Sequence, residues 1–244
     1  MIPKIIHYCW FGKNPKPELI EQCIRSWREH CPDYEIIEWN EDNFDVNACQ
    51  YTKEAYEAKK WAFVSDYARL YVLYHYGGIY FDTDVEVLRS IDEFLLEHAF
   101  TGFESNDSPI TAVMGAEKKH FLFKQLLDYY NDVCFINEDG SYNMLTNTHI
   151  ITKIFLEKGI NAHGKKQTID GMTIYPQIYF CPNNFTRIFD RPSYKSYTIH
   201  HFDQSWKSDR IEKKTMKQKI RRYAVGVLRN VFGTDKLERL KSKY

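Results

Sequence analysis

The sequence predicts one α/β domain with a mixed central sheet over about residues 1–206, followed by a basic helical extension over residues 207–244. Short apolar and aromatic runs alternate with segments whose apolar residues recur at helical spacing, which is typical of strands separated by helices. The 244 residues are 43% hydrophobic and include only 11 Gly and 8 Pro, which excludes disordered and low-complexity architectures. No internal repeat or Pro-, Gly- or Ser-rich linker divides residues 1–206.

The chain begins with the elements of a βαβ unit. Residues 5–10 form an apolar and aromatic run that is closed by Gly12, and its length suits a buried strand. Residues 17–31 place Ile20, Cys23, Ile24 and Trp27 at helical spacing, which predicts a helix. Residues 34–39 again have the composition of a strand.

The middle of the chain continues the alternation. Residues 50–60 predict an exposed helix, and residues 62–76 predict a longer apolar helix that ends at Gly77-Gly78, directly before a strand over 79–81. Asp170-Gly171 predicts a tight turn. The remaining predicted elements are strands over 99–104, 111–115, 173–180 and 197–202 and helices over 119–132 and 147–158.

Charge is distributed unevenly although the chain is neutral overall. Of 33 Lys+Arg and 33 Asp+Glu, residues 207–244 hold 13 basic and 4 acidic ones, which leaves a domain of net charge −9 and an extension of net charge +9. In the extension Met216, Ile220, Tyr223, Val227 and Val231 form one helical stripe. We expect this helix to bind an anionic membrane surface; packing on the domain or on a second protomer remains an alternative.

The sequence also suggests a cellular compartment. The first residues do not have the pattern of a signal peptide, and no window holds 18 apolar residues. Six cysteines are scattered without a Cys-x-x-Cys motif, which suggests a reducing compartment. We therefore expect a cytoplasmic protein, with possible peripheral attachment to the cytoplasmic face of a membrane through the extension.

Two carboxylates at the end of the strand over 79–81 are the strongest chemical feature. In Tyr80-Phe81-Asp82-Thr83-Asp84, alternate side chains point to the same side, so Asp82 and Asp84 can act together. Paired carboxylates suit a divalent cation, which can neutralise a departing diphosphate. An acidic strand end that faces water is the simpler alternative.

A charged pair precedes this motif on the apolar helix. Asp66 and Arg69 are three residues apart and share one helix face. They could form an ordinary surface ion pair. However, the neighbouring residues leave little of the helix polar, and charges on a mostly buried helix need partners.

Near the end of the domain, His200-His201 follows a predicted strand and precedes Ser205 and Trp206. An imidazole could complete a metal site, and the hydroxyl and indole could donate to phosphate oxygens. Trp10, after the first strand, could stack on a nucleobase or could belong to the core.

Taken in this order, these segments resemble glycosyltransferase family 32 and its relatives, the glucosyltransferase domains of large clostridial toxins, all of which have the GT-A nucleotide-sugar fold. The resemblance covers residues 2–206, from the first strand through Ser65-Asp66-Tyr67-Ala68-Arg69 and Gly77–Asp84 to His200-His201 and Ser205-Trp206. It implies a retaining hexosyltransferase that uses Mn²⁺ or Mg²⁺. The donor would be a nucleotide sugar, with a UDP-sugar favoured. The acceptor would be a glycan or a lipid-linked molecule in capsule or surface-polysaccharide synthesis, and no nucleic acid would be bound.

The resemblance also assigns roles to residues. Asp66 and Arg69 would hold ribose and sugar hydroxyls, and Asp82 and Asp84 would hold the metal, with Asp84 as the main ligand. His200 or His201 would be a further ligand, and which of them is left open. The remaining implied roles are base stacking by Trp10, a position near the ribose for Tyr80, and closure over the pyrophosphate by Ser205 and Trp206.

Two other functions compete with this one. A strand followed by Asp-x-Asp also begins the haloacid-dehalogenase-like phosphatases, but Glu86 stands where that motif has Thr or Val, and the motif lies 80 residues into the chain. A phosphatase would also leave Asp66 and Arg69 unexplained. The other alternative is a nucleic-acid or membrane adaptor with a basic tail and no enzymatic activity, but its domain of net charge −9 would repel a polyanion everywhere except at the tail. Met144–Thr148 departs from family 32, whose members often have a Gly-Pro turn here, so the acceptor side near Asn147 could differ.

Overall fold

The computed structural model describes residues 1–105, 108–161, 163–182 and 192–203. Nine strands lie in this part of the chain: β1 (Ile5–Cys9), β2 (Glu35–Trp39), β3 (Gly78–Phe81), β4 (Val85–Val87), β5 (Ala99–Phe103), β6 (Pro109–Ala116), β7 (Gln167–Ile169), β8 (Met172–Tyr175) and β9 (Thr198–His200). The α-helices are α1 (Glu18–His30), α2 (Gln50–Glu57), α3 (Trp61–Tyr76), α4 (Phe121–Tyr129), α5 (Asn147–Glu157) and α6 (Gln177–Phe180), with 3₁₀ turns at Asp92–Leu96 and Tyr130–Asp132. None of the helices described is long and apolar enough to cross a membrane.

A seven-stranded mixed sheet forms the centre, in the order β2-β1-β3-β6-β5-β8-β7. β1 is parallel to β2 and β3, and β5 is parallel to β8. β6 runs antiparallel to both β3 and β5, so the carboxyl ends of β1, β3 and β5 lie at the same edge of the sheet. The predicted class, an α/β domain with a mixed central sheet, is confirmed.

Two apolar layers cover the sheet. Helices α2, α3, α4 and α5 pack on one face, with Tyr80 and Met114 of the sheet. Helix α1 packs on the other face against Ile6, Tyr8, Ile79 and Phe81. Successive side chains of β3 therefore pack into opposite apolar layers, which explains why all four residues of this strand are buried.

The link between α3 and β3 requires two glycines. Gly77 and Gly78 have φ values of 70° and 100°, and a Cβ on Gly78 would lie 2.7 Å from the Ile5 carbonyl oxygen. This turn ends α3 as predicted and places Asp82 one residue beyond β3.

The predicted strand over 173–180 is wrong in its second half. β8 ends at Tyr175, and the short helix α6 begins after Pro176. Proline has no N–H for a sheet hydrogen bond, and its fixed φ suits the start of a helix. The predicted Asp170-Gly171 turn joins β7 to β8, with φ values of 46° and 74° that suit a tight hairpin.

Candidate active site

The pairing of strands β4 and β9 brings His200 next to the segment that contains Asp82 and Asp84. They form a separate two-stranded antiparallel sheet in which Val85 is opposite His200. The backbone N–H of His201 donates to the Asp84 carbonyl oxygen at 3.0 Å. His200 therefore lies beside the Asp-x-Asp segment, although more than a hundred residues separate them in the chain.

Asp82, Asp84 and His200 form a compact group of potential metal ligands. One ligand atom from each lies within 4.8 Å of the other two. His200 Nε2 is 3.2 Å from Asp84 Oδ1, and the backbone N–H of Asp203 donates to Asp84 Oδ2 at 2.8 Å. The Nδ1 of His200 is buried without a hydrogen-bond partner in the described structure.

The charges within this group stabilise one another. Although burial opposes it, the hydrogen bond with His200 holds the pKa of Asp84 below its ordinary value. Burial alone would lower the pKa of His200, but Asp84, Asp82 and Glu104 raise it above its ordinary value.

His201 points to a different partner. Its Nε2 lies 2.8 Å from Glu86 Oε2, and the pair is partly exposed. The structure therefore brings His200, and not His201, into the group with Asp82 and Asp84.

Arg69 is a buried cation that forms ion pairs with the carboxylates of both Asp66 and Asp82. Its Nη2 lies 3.1 Å from Asp66 Oδ1 and 3.1 Å from Asp82 Oδ1. Its Nη1 donates to the Thr111 carbonyl oxygen at 3.3 Å, and its guanidinium carbon lies 4.9 Å from the centre of the Tyr80 ring. Burial acts to lower the pKa of Arg69, but Asp82 and its other acidic neighbours raise it further above its ordinary value. The surface ion pair considered from the sequence is thus excluded, because Arg69 is only 5% exposed.

Asp66 joins this network to helix α5. Burial raises the pKa of Asp66 to about 6, and Arg69 opposes that shift. The backbone N–H of Asn147 donates to Asp66 Oδ2 at 3.1 Å, and its side-chain amide donates to the Asp66 carbonyl oxygen at 2.9 Å. The Oδ1 of Asn147 is buried and has no partner among the described residues.

Tyr80 supports Asp82 from inside the fold. It is 1% exposed, and its hydroxyl donates to Asp82 Oδ1 at 3.0 Å. Together, Tyr80 and Arg69 fix one oxygen of Asp82.

Trp10 lies at the same edge of the sheet, beyond β1. Its partly exposed ring lines a cavity of about 240 Å³ whose other lining residues are basic, amide and acidic: Lys13, Lys16, Asn14, Asn40, Glu38, Glu41 and Asp42. The indole N–H donates to the Asn14 carbonyl oxygen at 2.7 Å, and Lys16 Nζ lies 5.7 Å from the ring centre. Ser205 and Trp206, predicted to close the site, lie outside the described residues.

One acidic residue near the site was not singled out in the sequence. Glu104 follows β5 as Asp82 follows β3, and it lies within electrostatic range of Asp82, His200 and His149. Burial raises its pKa, whereas the two histidines act to lower it. An acidic residue at the carboxyl end of a second strand was the available sequence signal, because these ends meet at one edge when the strands are parallel.

Comparisons with known proteins point to one family. Residues 17–101 match the family model described as "Glycosyltransferase sugar-binding region containing DXD motif". Inositol phosphoceramide mannosyltransferase 3 of Schizosaccharomyces pombe is 31% identical, with 52% of this chain and 36% of that protein covered. Mannosyl phosphorylinositol ceramide synthase SUR1 of Saccharomyces cerevisiae is 34% identical, with 56% and 37% covered. The chain thus spans little more than a third of the length of these two relatives.

A viral relative and two solved structures are glycosyltransferases as well. Uncharacterized glycosyltransferase L373 of Acanthamoeba polyphaga mimivirus is 26% identical, with 75% of this chain and 74% of that protein covered. A glycosyltransferase involved in the glycosylation of the major capsid of PBCV-1 has a TM-score of 0.49 and 10% identity, with 90% of this chain and 98% of that chain covered. The PaToxG glycosyltransferase has a TM-score of 0.44 and 19% identity, with 52% and 59% covered.

The matched region contains Asp66, Arg69 and the Asp82–Asp84 pair, which are the residues at the centre of the site. The resemblance to the glycosyltransferases seen in the sequence is therefore confirmed: residues 17–101 match their DXD-containing sugar-binding region.

Proposed function

We propose that this chain is a metal-dependent glycosyltransferase that transfers a sugar from a nucleotide donor to an acceptor hydroxyl. The observation that carries the proposal is the convergence of Asp82, Asp84 and His200 within 4.8 Å at the carboxyl edge of the sheet. The family match over residues 17–101 supports the same function.

The three side chains fit a divalent cation by their chemistry. Carboxylate oxygens are preferred by Mg²⁺ and Mn²⁺, and a neutral imidazole is a common additional ligand. The group is acidic, and His200 is the one member that can carry a positive charge. We propose Asp84 as the main ligand, with Asp82 and His200 beside it. When bound, the ion supplies positive charge that neutralises the diphosphate leaving group.

The remaining residues hold this group in place. Arg69 and Tyr80 fix one oxygen of Asp82, and Asp203 fixes one oxygen of Asp84 through its backbone N–H. Such preorganised groups need no rearrangement when charge develops during the reaction. The cavity beside Trp10 lies at the same edge and could accept the base of a nucleotide, with a UDP-sugar favoured as the donor.

The finer aspects of the function rest on the resemblance and on the relatives. We propose retention of anomeric configuration, with the acceptor hydroxyl approaching from the face that the diphosphate leaves. The names of the two fungal relatives include inositol phosphoceramide or a mannosylated form of it, which supports a lipid-linked acceptor here. Surface-polysaccharide synthesis, a cytoplasmic location and membrane binding through residues 207–244 are also proposals, and the extension lies outside the described residues.

A donor screen tests this function. The purified chain is incubated with UDP-, GDP- and dTDP-sugars in Mn²⁺ or Mg²⁺, and the release of nucleoside diphosphate and sugar is measured. We expect diphosphate release from at least one donor, and NMR of the released sugar, recorded before it mutarotates, should show the anomeric configuration of the donor. Release of inorganic phosphate alone would support the phosphatase alternative, and no release would leave only the adaptor.

A further inference from the structure

The turn that follows β1 determines where the ring of Trp10 lies. At the start of the turn, the backbone N–H of Trp10 donates to the Trp39 carbonyl oxygen at 2.9 Å, next to the pairing of β1 with β2. The indole N–H donates to the Asn14 carbonyl oxygen at 2.7 Å. The sheet therefore holds the backbone of Trp10, whereas the far end of the turn holds its ring. The path of the chain between Trp10 and Asn14 sets the orientation of the ring.

Two residues in the middle of this turn have a left-handed backbone. The φ values of Gly12 and Lys13 are 90° and 56°. Glycine adopts such values freely, but a residue with a Cβ does so rarely and at a cost. Gly12 also has no room for a side chain, because a Cβ would lie 2.6 Å from the indole nitrogen of Trp61. A turn of this shape needs contacts from the surrounding structure to stabilise it.

Glu41 supplies such a contact at the centre of the turn. The backbone N–H of Gly12 donates to Glu41 Oε1 at 2.6 Å, and the hydroxyl of Tyr56 donates to the same oxygen at 3.2 Å. Hydrogen bonds to a carboxylate are stronger than those between neutral groups. The ring centres of Tyr56 and Trp61 are 5.0 Å apart. Glu41, Tyr56 and Trp61 thus enclose Gly12 from the loop after β2, from α2 and from α3.

The position of Glu41 connects this contact to the donor. Glu41 lines the cavity beside Trp10 that we propose for the base of the nucleotide. Its negative charge cannot attract a diphosphate, and its Oε1 accepts hydrogen bonds from within the protein. What this carboxylate contributes to the donor site is therefore the shape of the turn.

We propose that Glu41 is a positioning residue for the donor: it holds Gly12 in the turn and so keeps the ring of Trp10 in place to stack on the base. This inference rests on the proposed glycosyltransferase function. A ring that is already held loses less freedom when the nucleotide binds, which favours binding. Because Glu41 does not belong to the group of Asp82, Asp84 and His200, its loss should weaken donor binding and leave kcat at saturating donor unchanged.

A double-mutant cycle tests whether Glu41 acts through Trp10. The Kd values of UDP and GDP with Mn²⁺ are measured by calorimetry for the wild type, Glu41→Ala, Trp10→Ala and the double variant. We expect Glu41→Ala to raise the Kd about tenfold in the wild type but less than about twofold when residue 10 is already alanine, because residues of one network are not additive. A residue that only stabilises the fold would give the same factor in both backgrounds.

Further variants separate positioning from a folding defect. Lys13→Gly removes the cost of the left-handed backbone, so adding it to Glu41→Ala should lower the Kd again by about threefold. Glu41→Gln keeps an acceptor oxygen and should raise the Kd less than Glu41→Ala; it replaces Glu41→Ala in the cycle if thermal melting shows that the alanine variant is unfolded. Glu29→Ala, which removes an exposed carboxylate on α1, should change the Kd less than about twofold.

The outcomes distinguish this inference from the function on which it rests. An unchanged Kd in folded Glu41→Ala, or the same increase with and without Trp10, would overturn the positioning role. A fall in kcat at saturating donor without a change in Kd would overturn it as well. If the wild type binds neither UDP nor GDP and releases no diphosphate from any donor, the glycosyltransferase function itself is contradicted, and this inference with it.

Discussion

Replacing Arg69 by methionine should destabilise the fold strongly, because it leaves two carboxylates near the core without their cation. Arg69 is 5% exposed and lies 3.1 Å from both Asp66 and Asp82. Removal of one partner of a buried ion pair costs about 3–5 kcal/mol. Methionine fills much of the same volume, so the loss is mainly electrostatic.

The effect should depend on pH in a defined direction. Burial already raises the pKa of Asp66 to about 6, and loss of Arg69 removes the charge that opposes this shift. The folded variant then binds protons more readily than the unfolded chain, so its stability rises as the pH falls. We expect the difference between variant and wild type to be largest at pH 8 and smaller at pH 5.

Urea denaturation followed by circular dichroism at these two pH values measures both effects. Arg25→Met is the matched control, because Arg25 forms an exposed ion pair with Glu18 on α1 and should contribute less than about 1 kcal/mol. The double variant Asp66→Asn/Arg69→Met should regain at least about 1 kcal/mol, since it removes one unpaired charge. A loss equal to that of Arg25→Met, or one that does not change with pH, would refute this account of Arg69.

Three further predictions concern other parts of the chain. Trp10→Ala should weaken binding of a nucleoside diphosphate, measured by calorimetry, by about 1–3 kcal/mol; unchanged affinity with a lower Tm would show that the ring only stabilises the fold. Burial lowers the pKa of His7 to about 4, so its stabilising effect at neutral pH should be lost as the pH falls from 6.5 to 4, costing about 3 kcal/mol. His7→Gln should reduce this acid sensitivity in urea titrations, and an unchanged pH slope would contradict it. Truncation after Ser208 should abolish salt-sensitive sedimentation with anionic liposomes, to which each Lys or Arg contributes about 1 kcal/mol; equal sedimentation of both proteins would remove the membrane role.

The parts of the site that are local in sequence could be predicted. The spacing of Asp66 and Arg69 indicated that they share a helix face, and Gly77-Gly78 marked the end of α3. Asp82 and Asp84 do lie close together, but in a turn after β3 in which the Val85 N–H donates to the Asp82 carbonyl oxygen, and not in the continued strand that was predicted. The neighbours of Arg69 also indicated that this helix is buried, because so few of its residues are polar.

The contacts that depend on which strands pair, and in which register, could not be predicted from the sequence. His200 reaches Asp84 only because β4 and β9 pair with Val85 opposite His200, and neither the three-residue strand β4 nor its register has a sequence pattern. The choice between His200 and His201 therefore remained open in the sequence. The position of Glu104 depends in turn on the order of β3, β6 and β5, which places two acidic strand ends at one edge.

Metal-dependent turnover by the wild type and Asp84→Asn is the most direct test of the proposed function. Release of nucleoside diphosphate is measured with the best donor while Mn²⁺ is titrated, and again in excess EDTA, with Glu29→Gln as a control for the loss of one carboxylate. We predict activity only in the presence of a divalent ion and a loss of at least about a hundredfold in Asp84→Asn, as expected when a principal electrostatic group is removed. Full turnover by folded Asp84→Asn, or wild-type activity that persists in EDTA, would contradict it.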